Sequence, residues 1–124
     1  MFAVFFWKDR DGKRPILEYI RKLESKGDKD SRIKANKILE YIDYLRKEGP
    51  RVKEPYAKHL DGDIWELRPI SDRIIYAAWD GRSFILLHHF KKKTQKTPQR
   101  EIRKAKQNLA DYKERSKSDE KDKI

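Results

Sequence analysis

The sequence predicts a small α+β domain with the element order β-α-α-β-β-β-α and a mainly antiparallel sheet. Two helical patterns follow a short apolar run near the N-terminus, three strand-like runs separated by tight turns come next, and one more helical pattern follows them. The length of 124 residues favours one domain. A domain of this size buries only a modest core.

The N-terminal half predicts one strand and a helical hairpin. Residues 2–7 form an aromatic, strand-like run, and Pro15 suits the first position of a helix. Gly27 ends that helix, and a second helix is expected from about Asp30 to Glu48, before Gly49. The apolar stripes of the two helices are Ile16, Leu17, Ile20 and Leu23, then Ala35, Ile38, Leu39, Ile42 and Leu45.

Three strands are predicted in the second half of the chain. Residues 51–62 are polar and contain a proline, so no strand is predicted there. In residues 64–68, Trp65 and Leu67 alternate with Glu66 and Arg68, which places the two pairs on opposite faces. The other two strands, 73–79 and 84–90, are joined by an Asp-Gly hairpin turn.

The last helix is predicted to begin at Thr97-Pro98. Its apolar stripe is Ile102, Ala105, Leu109 and Tyr112, and its other face is basic. The folded domain is therefore expected to cover residues 1–112. Residues 113–124 have no apolar side chain before the last position and are predicted to be disordered.

The composition excludes several kinds of chemistry. The chain has no cysteine, so disulfides, thiolate catalysis and cysteine-based zinc sites are ruled out. His88 and His89 are neighbours in a predicted strand and point to opposite faces, with His88 on the face of Leu86 and Phe90. They cannot easily share a metal, so we expect no cofactor and at most loosely bound Mg²⁺. With neither a membrane-spanning run nor a signal peptide, a cytoplasmic location is expected.

The positive charge is concentrated in one segment. From Lys91 to Lys106 there are eight Lys or Arg residues and one acid, which is a local net charge of +7 out of +11 for the chain. Four of these lysines lie in the connector between the last predicted strand and the last helix. Such a concentration of charge predicts a polyanion partner, and the alternative is a loop that only favours solubility.

An ordered set of motifs resembles the phage-derived branch of the RelE/HigB/ParE toxin family. The resemblance spans about residues 2–112, and the helical hairpin fits it. Two residues depart from the family pattern, because His89 and Lys91 stand where a small and an apolar residue are expected. The motifs are residues 58–68, Arg73-Ile74-Ile75-Tyr76, Leu86-Leu87-His88, and Phe90 with residues 92–98 and Glu101-Ile102.

The resemblance implies a RelE-like fold and the toxin of a type II toxin–antitoxin pair. Members with ribonuclease activity bind the ribosome and cut mRNA by attack of the ribose 2′-OH on the adjacent phosphate, without a metal. A small helix-turn-helix antitoxin is the implied partner, with operator DNA bound through the complex. No membrane partner is expected.

The resemblance and the charge pattern together nominate site residues. Arg68 and Arg73 are expected to clamp the scissile phosphate, and Lys93 and Lys96 to act with them in catalysis. The expected substrate-binding residues are Lys91, Lys92, Glu66, His88 and Arg100. These roles have structural alternatives. The arginines are then solvated or paired with Glu66, and Glu66 orients them instead of acting as a base. His88 is then a packed, hydrogen-bonded side chain.

Two other functions use the same features. A ParE-like inhibitor of DNA gyrase would have the same fold and also needs a basic surface. A non-catalytic module that binds only its antitoxin and nucleic acid is the second alternative. The composition does not separate them, but the sequence Lys-Lys-Thr-Gln-Lys-Thr-Pro in residues 92–98 favours the nuclease branch.

Overall fold

The chain folds into a five-stranded sheet with helices on both faces. The computed structural model describes residues 1–122 and the side chains of residues 1–117. No helix in this part of the chain is long and apolar enough to cross a membrane. The elements are β1 (Ala3–Phe6), α1 (Pro15–Ser25), α2 (Lys29–Glu48), a 3₁₀ turn (Gly49–Arg51), β2 (Ala57–Asp61), β3 (Ile64–Leu67), β4 (Asp72–Trp79), β5 (Ser83–Lys91) and α3 (Gln99–Asp122).

The strand order is β1-β5-β4-β3-β2, and only the β1–β5 pair is parallel. This confirms the predicted α+β class and the mainly antiparallel sheet. One strand was not predicted, because β2 lies in the segment that reads as polar. It is an edge strand in which only Ala57 is fully buried, while Lys58 and His59 are exposed. An edge strand with one buried side chain lacks the apolar alternation that identifies a strand in sequence.

Each face of the sheet buries its own core. On one face α1 and α2 pack against Leu67, Ile74 and Leu86. On the other face Ile102, Ala105 and Leu109 of α3 pack against β3, β4 and β5, as their spacing predicted. Leu39 was wrongly included in the stripe of α2, because its side chain is 40% exposed while Ile38 is fully buried. One residue step turns a helical side chain by about 100°, which carries Leu39 off the packed face.

The N-terminal hairpin follows its sequence signals. Pro15 is the first residue of α1, and the Asp28 side chain caps α2 by accepting a hydrogen bond from the Ser31 backbone N–H at 2.9 Å. Gly49 ends α2 with φ of 55°. A Cβ at Gly49 would lie 2.3 Å from the Phe2 ring, so both the backbone conformation and the close approach of this ring favour glycine there.

α3 continues ten residues beyond Tyr112, to Asp122, although disorder was predicted from Lys113 onward. The segment is rich in Lys, Glu and Arg, which favour helix once a helix has started. Arg115 also pairs with Asp111 one turn earlier. Residues 123–124 of the predicted disordered segment lie outside the described residues.

A β-bulge in β5 sets the direction of the two histidines. Ile75 is opposite His88 but Tyr76 is opposite Leu86, so Leu87 is an extra residue on β5. His88 and His89 do point to opposite faces, as predicted. The expectation that His88 shares a face with Leu86 is wrong, because the bulge moves His88 to the α3 face.

Candidate active site

The lysine loop (residues 91–98) joins the end of β5 to the start of α3 and is held by one internal hydrogen bond and by two hydrogen bonds to the rest of the protein. The Lys92 backbone N–H donates to the Ser71 carbonyl at 2.7 Å. The Thr94 hydroxyl donates to the Lys96 carbonyl at 2.7 Å, and the Thr97 hydroxyl donates to Glu66 Oε2 at 2.7 Å. The loop is therefore bonded to the turn before β4 near one end and to β3 near the other, which fixes the path of its backbone.

The lysine loop encloses a cavity of about 290 Å³, which we call the loop cavity. Six cationic side chains line it and only one acidic side chain, Glu101, does so. All six are predicted site residues. The cationic residues are Arg73, Lys91, Lys92, Lys93, Lys96 and Arg100.

A wider depression of about 520 Å³ adjoins the loop cavity and shares Gln95, Lys96 and Thr97 with it. We call it the glutamine groove. It lies between the edge of the sheet and the first turn of α3, and it holds two predicted site residues that do not line the loop cavity, Glu66 and Arg68. Its other lining residues are Lys58, His59, Leu60, Gln99 and Ile102.

Glu66 contacts both site arginines and the lysine loop. Its side chain is only 1% exposed, and its Oε1 lies 3.7 Å from Arg68 Nε and 3.9 Å from Arg73 Nε. Its second oxygen, Oε2, accepts the hydrogen bond from Thr97. One buried carboxylate thus forms ion pairs with two arginines and a hydrogen bond with the lysine loop. This geometry supports the orienting role for Glu66 among the alternatives considered from sequence.

Arg73 is held rigidly at the wall of the loop cavity. Its side chain is 7% exposed, and Nη1 donates to the carbonyls of Ile70 at 2.9 Å and Asp72 at 2.8 Å. Burial and the nearby positive charge of Arg68 lower the pKa of Arg73, but a guanidinium remains charged. With Nη1 engaged by two carbonyls, the two N–H groups of Nη2 are left to meet an anion in the cavity.

His88 does not line the loop cavity, but it bonds to Glu101, which does. Its Nε2–H donates to Glu101 Oε1 at 2.8 Å, and its ring stacks on Phe90 with centroids 6.0 Å apart. The other oxygen of Glu101 lies 3.8 Å from Arg100 Nε. The structure therefore places His88 behind Glu101 and not in the cavity wall. Glu101, the one acid of the basic segment, was not predicted as a site residue; its isolation among cations was the signal for it.

A second, partly buried network lies on the opposite face of the sheet, around Asp72, the residue before Arg73. Asp72 Oδ1 accepts hydrogen bonds from the Tyr19 hydroxyl and from His89 Nε2, both at 2.9 Å. The Tyr19 and His89 rings stack with centroids 3.9 Å apart. Burial and the bond to Asp72 raise the pKa of Tyr19. This network ties α1 to β4 and β5 where the lysine loop begins, and it gives a role to His89, which departs from the family pattern.

Asp72 makes the stability of the fold depend on pH in the acid range. Burial, the largest influence, raises the pKa of Asp72, but hydrogen bonds from His89 and Tyr19 and the charges of His89 and Lys34 outweigh it, so the pKa is lowered. A carboxyl whose pKa is lower in the folded state than in the unfolded state stabilises the fold fully at pH values above the unfolded pKa. This contribution is lost as the pH falls through the folded pKa. We expect the free energy of unfolding to decrease as the pH is lowered below about 4.

Urea unfolding of the wild type and of Asp72→Asn over a series of pH values measures this contribution. The gap in stability between the two proteins should narrow as the pH falls below about 4, because only the wild type has this carboxyl to protonate. Asp63→Asn, at an exposed aspartate, is the matched control and should follow the wild type at every pH. A gap that is constant with pH would contradict the assignment.

The fold and the site define a class of protein: a small RelE-like α+β domain with a basic cavity between its last strand and its last helix. The sequence model of the phage-derived Gp49-like proteins (DUF891) matches residues 18–110. The chain belongs to this family, which is toxin-like and related to RelE and HigB. No curated protein matches the chain. Among residues 1–117, whose side chains the structure describes, no group of three or more His, Cys, Asp or Glu side chains is arranged to hold a metal ion.

Proposed function

We propose that the chain is the toxin of a type II toxin–antitoxin pair and cleaves mRNA on the ribosome. The observation that carries the proposal is the arrangement around Glu66. Arg68 and Arg73 lie within 4 Å of one buried carboxylate. The same carboxylate bonds the lysine loop, which encloses a cavity with six cationic side chains. Family membership supports a toxin at a coarse level, and the nuclease activity is our inference.

The charge of the loop cavity favours a phosphate chain as the ligand. Six cationic side chains and one carboxylate face a space of about 290 Å³, and the carboxylate, Glu101, is already bonded to His88. A site of this kind binds polyanions by neutralising phosphates. It also presents fixed donors where charge develops on a phosphate during the reaction. Binding and charge stabilisation thus have the same structural source.

The proposed reaction is an internal transfer within the RNA. The 2′-oxygen of the ribose bonds to the adjacent phosphorus, and the bond from phosphorus to the 5′-oxygen breaks, which leaves a 2′,3′-cyclic phosphate and a 5′-hydroxyl. The 2′-OH proton passes to a base, and the leaving 5′-oxygen takes up a proton from an acid. Arg73 and Arg68 would stabilise the charge on the phosphate, and Lys93 and Lys96 are the candidates for the proton transfers.

Mapping the ends of cellular mRNA after expression tests the function. Expression of the wild type should create new ends within translated messages, and blocking translation should remove them. A DNA gyrase supercoiling assay run in parallel covers the ParE-like alternative. Intact mRNA together with inhibited supercoiling would contradict the nuclease assignment and identify the chain as a gyrase inhibitor. Intact mRNA with neither effect and no growth inhibition would leave a non-catalytic binding module.

The proposal includes specific partners. The ribosome and translated mRNA would be the targets, and a helix-turn-helix antitoxin would keep the toxin inactive and carry it to operator DNA. Family membership supports an antitoxin partner in general. Copurification of the chain with the product of the adjacent reading frame, and relief of growth inhibition when both are expressed, would identify the antitoxin.

A further inference from the structure

We propose that a pocket at the far end of the sheet from the lysine loop is a docking site for an arginine side chain of a partner protein. The pocket, which we call the end pocket, has a volume of about 240 Å³. The lysine loop adjoins the start of β4 at Asp72, whereas Ala78, near the other end of that strand, lines the end pocket. The inference goes beyond the proposed function and does not depend on it, because the end pocket shares no lining residue with the loop cavity.

The end pocket begins where α2 ends. Gly49 and Pro50 follow directly after the last residue of α2 and line the pocket on one side. The sheet lines it with three aromatic side chains, which belong to the core on the α1 and α2 face or pack against it. These residues are Trp65 of β3, Tyr76 of β4 and Phe84 of β5. The end pocket is therefore an aromatic part of this core that α2 does not cover.

A buried hydroxyl opens on the end pocket. Tyr76 is only 3% exposed, and its hydroxyl forms no hydrogen bond with any group in residues 1–117. Burial raises the pKa of Tyr76, so the hydroxyl stays protonated and can both donate and accept. A buried polar group costs stability when nothing bonds to it. The oxygen is not sealed from solvent, so a bonding group can reach it through the pocket that Tyr76 lines.

The charge of the end pocket is opposite to that of the chain. Among its lining residues Asp63 is the one with a charged side chain, and it is exposed. Within residues 1–117, no cationic side chain forms an ion pair with Asp63. By contrast, the whole chain has a net charge of +11, and six cationic side chains line the loop cavity. A phosphate chain is thus favoured at the loop cavity, and a cation is the complementary ligand for the end pocket.

An arginine side chain satisfies each of these features. Its guanidinium makes cation–π contacts with aromatic rings, and its N–H groups can donate to the Tyr76 hydroxyl and to the Asp63 carboxylate. A lysine carries a compact charge without a planar face, and an aliphatic side chain would leave the Tyr76 hydroxyl without a partner. Small-molecule sites measure about 300–1,000 Å³. The end pocket, at about 240 Å³, is smaller and suits one anchoring side chain of a protein.

NMR titration of the full chain tests the docking site without depending on RNA or cleavage. The probes are N-acetyl-arginine methylamide and the matching citrulline compound, which has the same shape but no charge. We expect the arginine probe to shift the signals of the Trp65 indole and of the Asp63 and Ala78 amides. The citrulline probe should bind about five- to tenfold more weakly, because it lacks the cation–π and ion-pair contributions.

Three variants locate the binding. Tyr76→Phe should weaken the arginine probe by about tenfold, the loss of one hydrogen bond to a charged group. The variant should be no less stable to urea than the wild type, because the hydroxyl has no bond within residues 1–117 to lose. Asp63→Asn should weaken the probe by about threefold. Ala78→Leu, at an exposed position, should fill the pocket and abolish the shifts.

Glu24→Gln is the matched control, because Glu24 is an exposed acid of α1 that does not line the end pocket; it should bind the probe like the wild type. Equal binding of the arginine and citrulline probes would overturn the proposal, and so would a folded Tyr76→Phe or Ala78→Leu protein that binds like the wild type. If free arginine binds at least about tenfold more tightly than the capped probe, the ligand is the amino acid and not a protein side chain, which also overturns the proposal.

Discussion

Replacement of Arg73 by alanine should abolish growth inhibition and reduce mRNA cleavage by at least about a hundredfold, the loss typical of removing one fixed donor to a developing anion. The expectation follows from the position of Arg73 in the wall of the loop cavity, with Nη1 held by two backbone carbonyls. A guanidinium fixed in this way needs no rearrangement when charge develops on the phosphate. The measurement is the appearance of new mRNA ends after induction.

The alanine variant also leaves the carbonyls of Ile70 and Asp72 without their donor, at a cost to stability of about 1 kcal/mol each. Circular dichroism and urea unfolding must therefore accompany the cleavage assay. Arg73→Lys separates charge from geometry: it keeps a cation but loses the planar fork, so it should recover little activity. Arg82→Ala, at an exposed arginine in the turn between β4 and β5, should be as toxic as the wild type. Full toxicity of a folded Arg73→Ala protein would place the site elsewhere.

The elements that the sequence predicts well are those with strong periodicity. The stripe on α3 and the alternation of Trp65, Glu66 and Leu67 in β3 both match the structure, because local spacing alone decides which side chains face the sheet. β2 has no such pattern. Its place as a strand comes from pairing with β3 across Gly62 and Asp63, which is a tertiary contact that leaves little trace in composition.

The charge of the candidate site could be predicted from the sequence, but its hydrogen bonds and the local strand geometry could not. The lysine cluster, Arg68 and Arg73 follow from residue type and position in the chain. The bond between Thr97 and Glu66 joins residues 31 positions apart and depends on how α3 packs against the sheet. The bulge at Leu87 could not be read from the sequence either, because an extra residue in a strand looks like any other. The glutamine groove exists only once these contacts are made.

Replacement of Glu66 by alanine should destabilise the fold by about 3 kcal/mol, the lower end of the loss seen when one partner of a buried ion pair is removed. Arg73 is almost fully buried beside Glu66, and Arg68 is mostly so, and the variant leaves both without a counter-charge. Thr97 also loses its acceptor, which releases the end of the lysine loop next to α3. Urea unfolding measures the loss. Glu40→Ala, at an exposed residue of α2, is the control and should change stability by less than about 0.5 kcal/mol.

Glu66→Gln distinguishes the two roles considered for this residue. The amide keeps the volume of the side chain and an oxygen for the Thr97 hydroxyl, but it removes the negative charge. If Glu66 orients the arginines, the glutamine variant should be less stable than the wild type, more stable than the alanine variant, and partly active. If Glu66 is the base that takes the 2′-OH proton, the glutamine variant should lose cleavage while binding RNA normally. A glutamine variant as stable as the wild type would contradict the ion-pair role, because the negative charge of Glu66 beside the two arginines would then contribute nothing to stability.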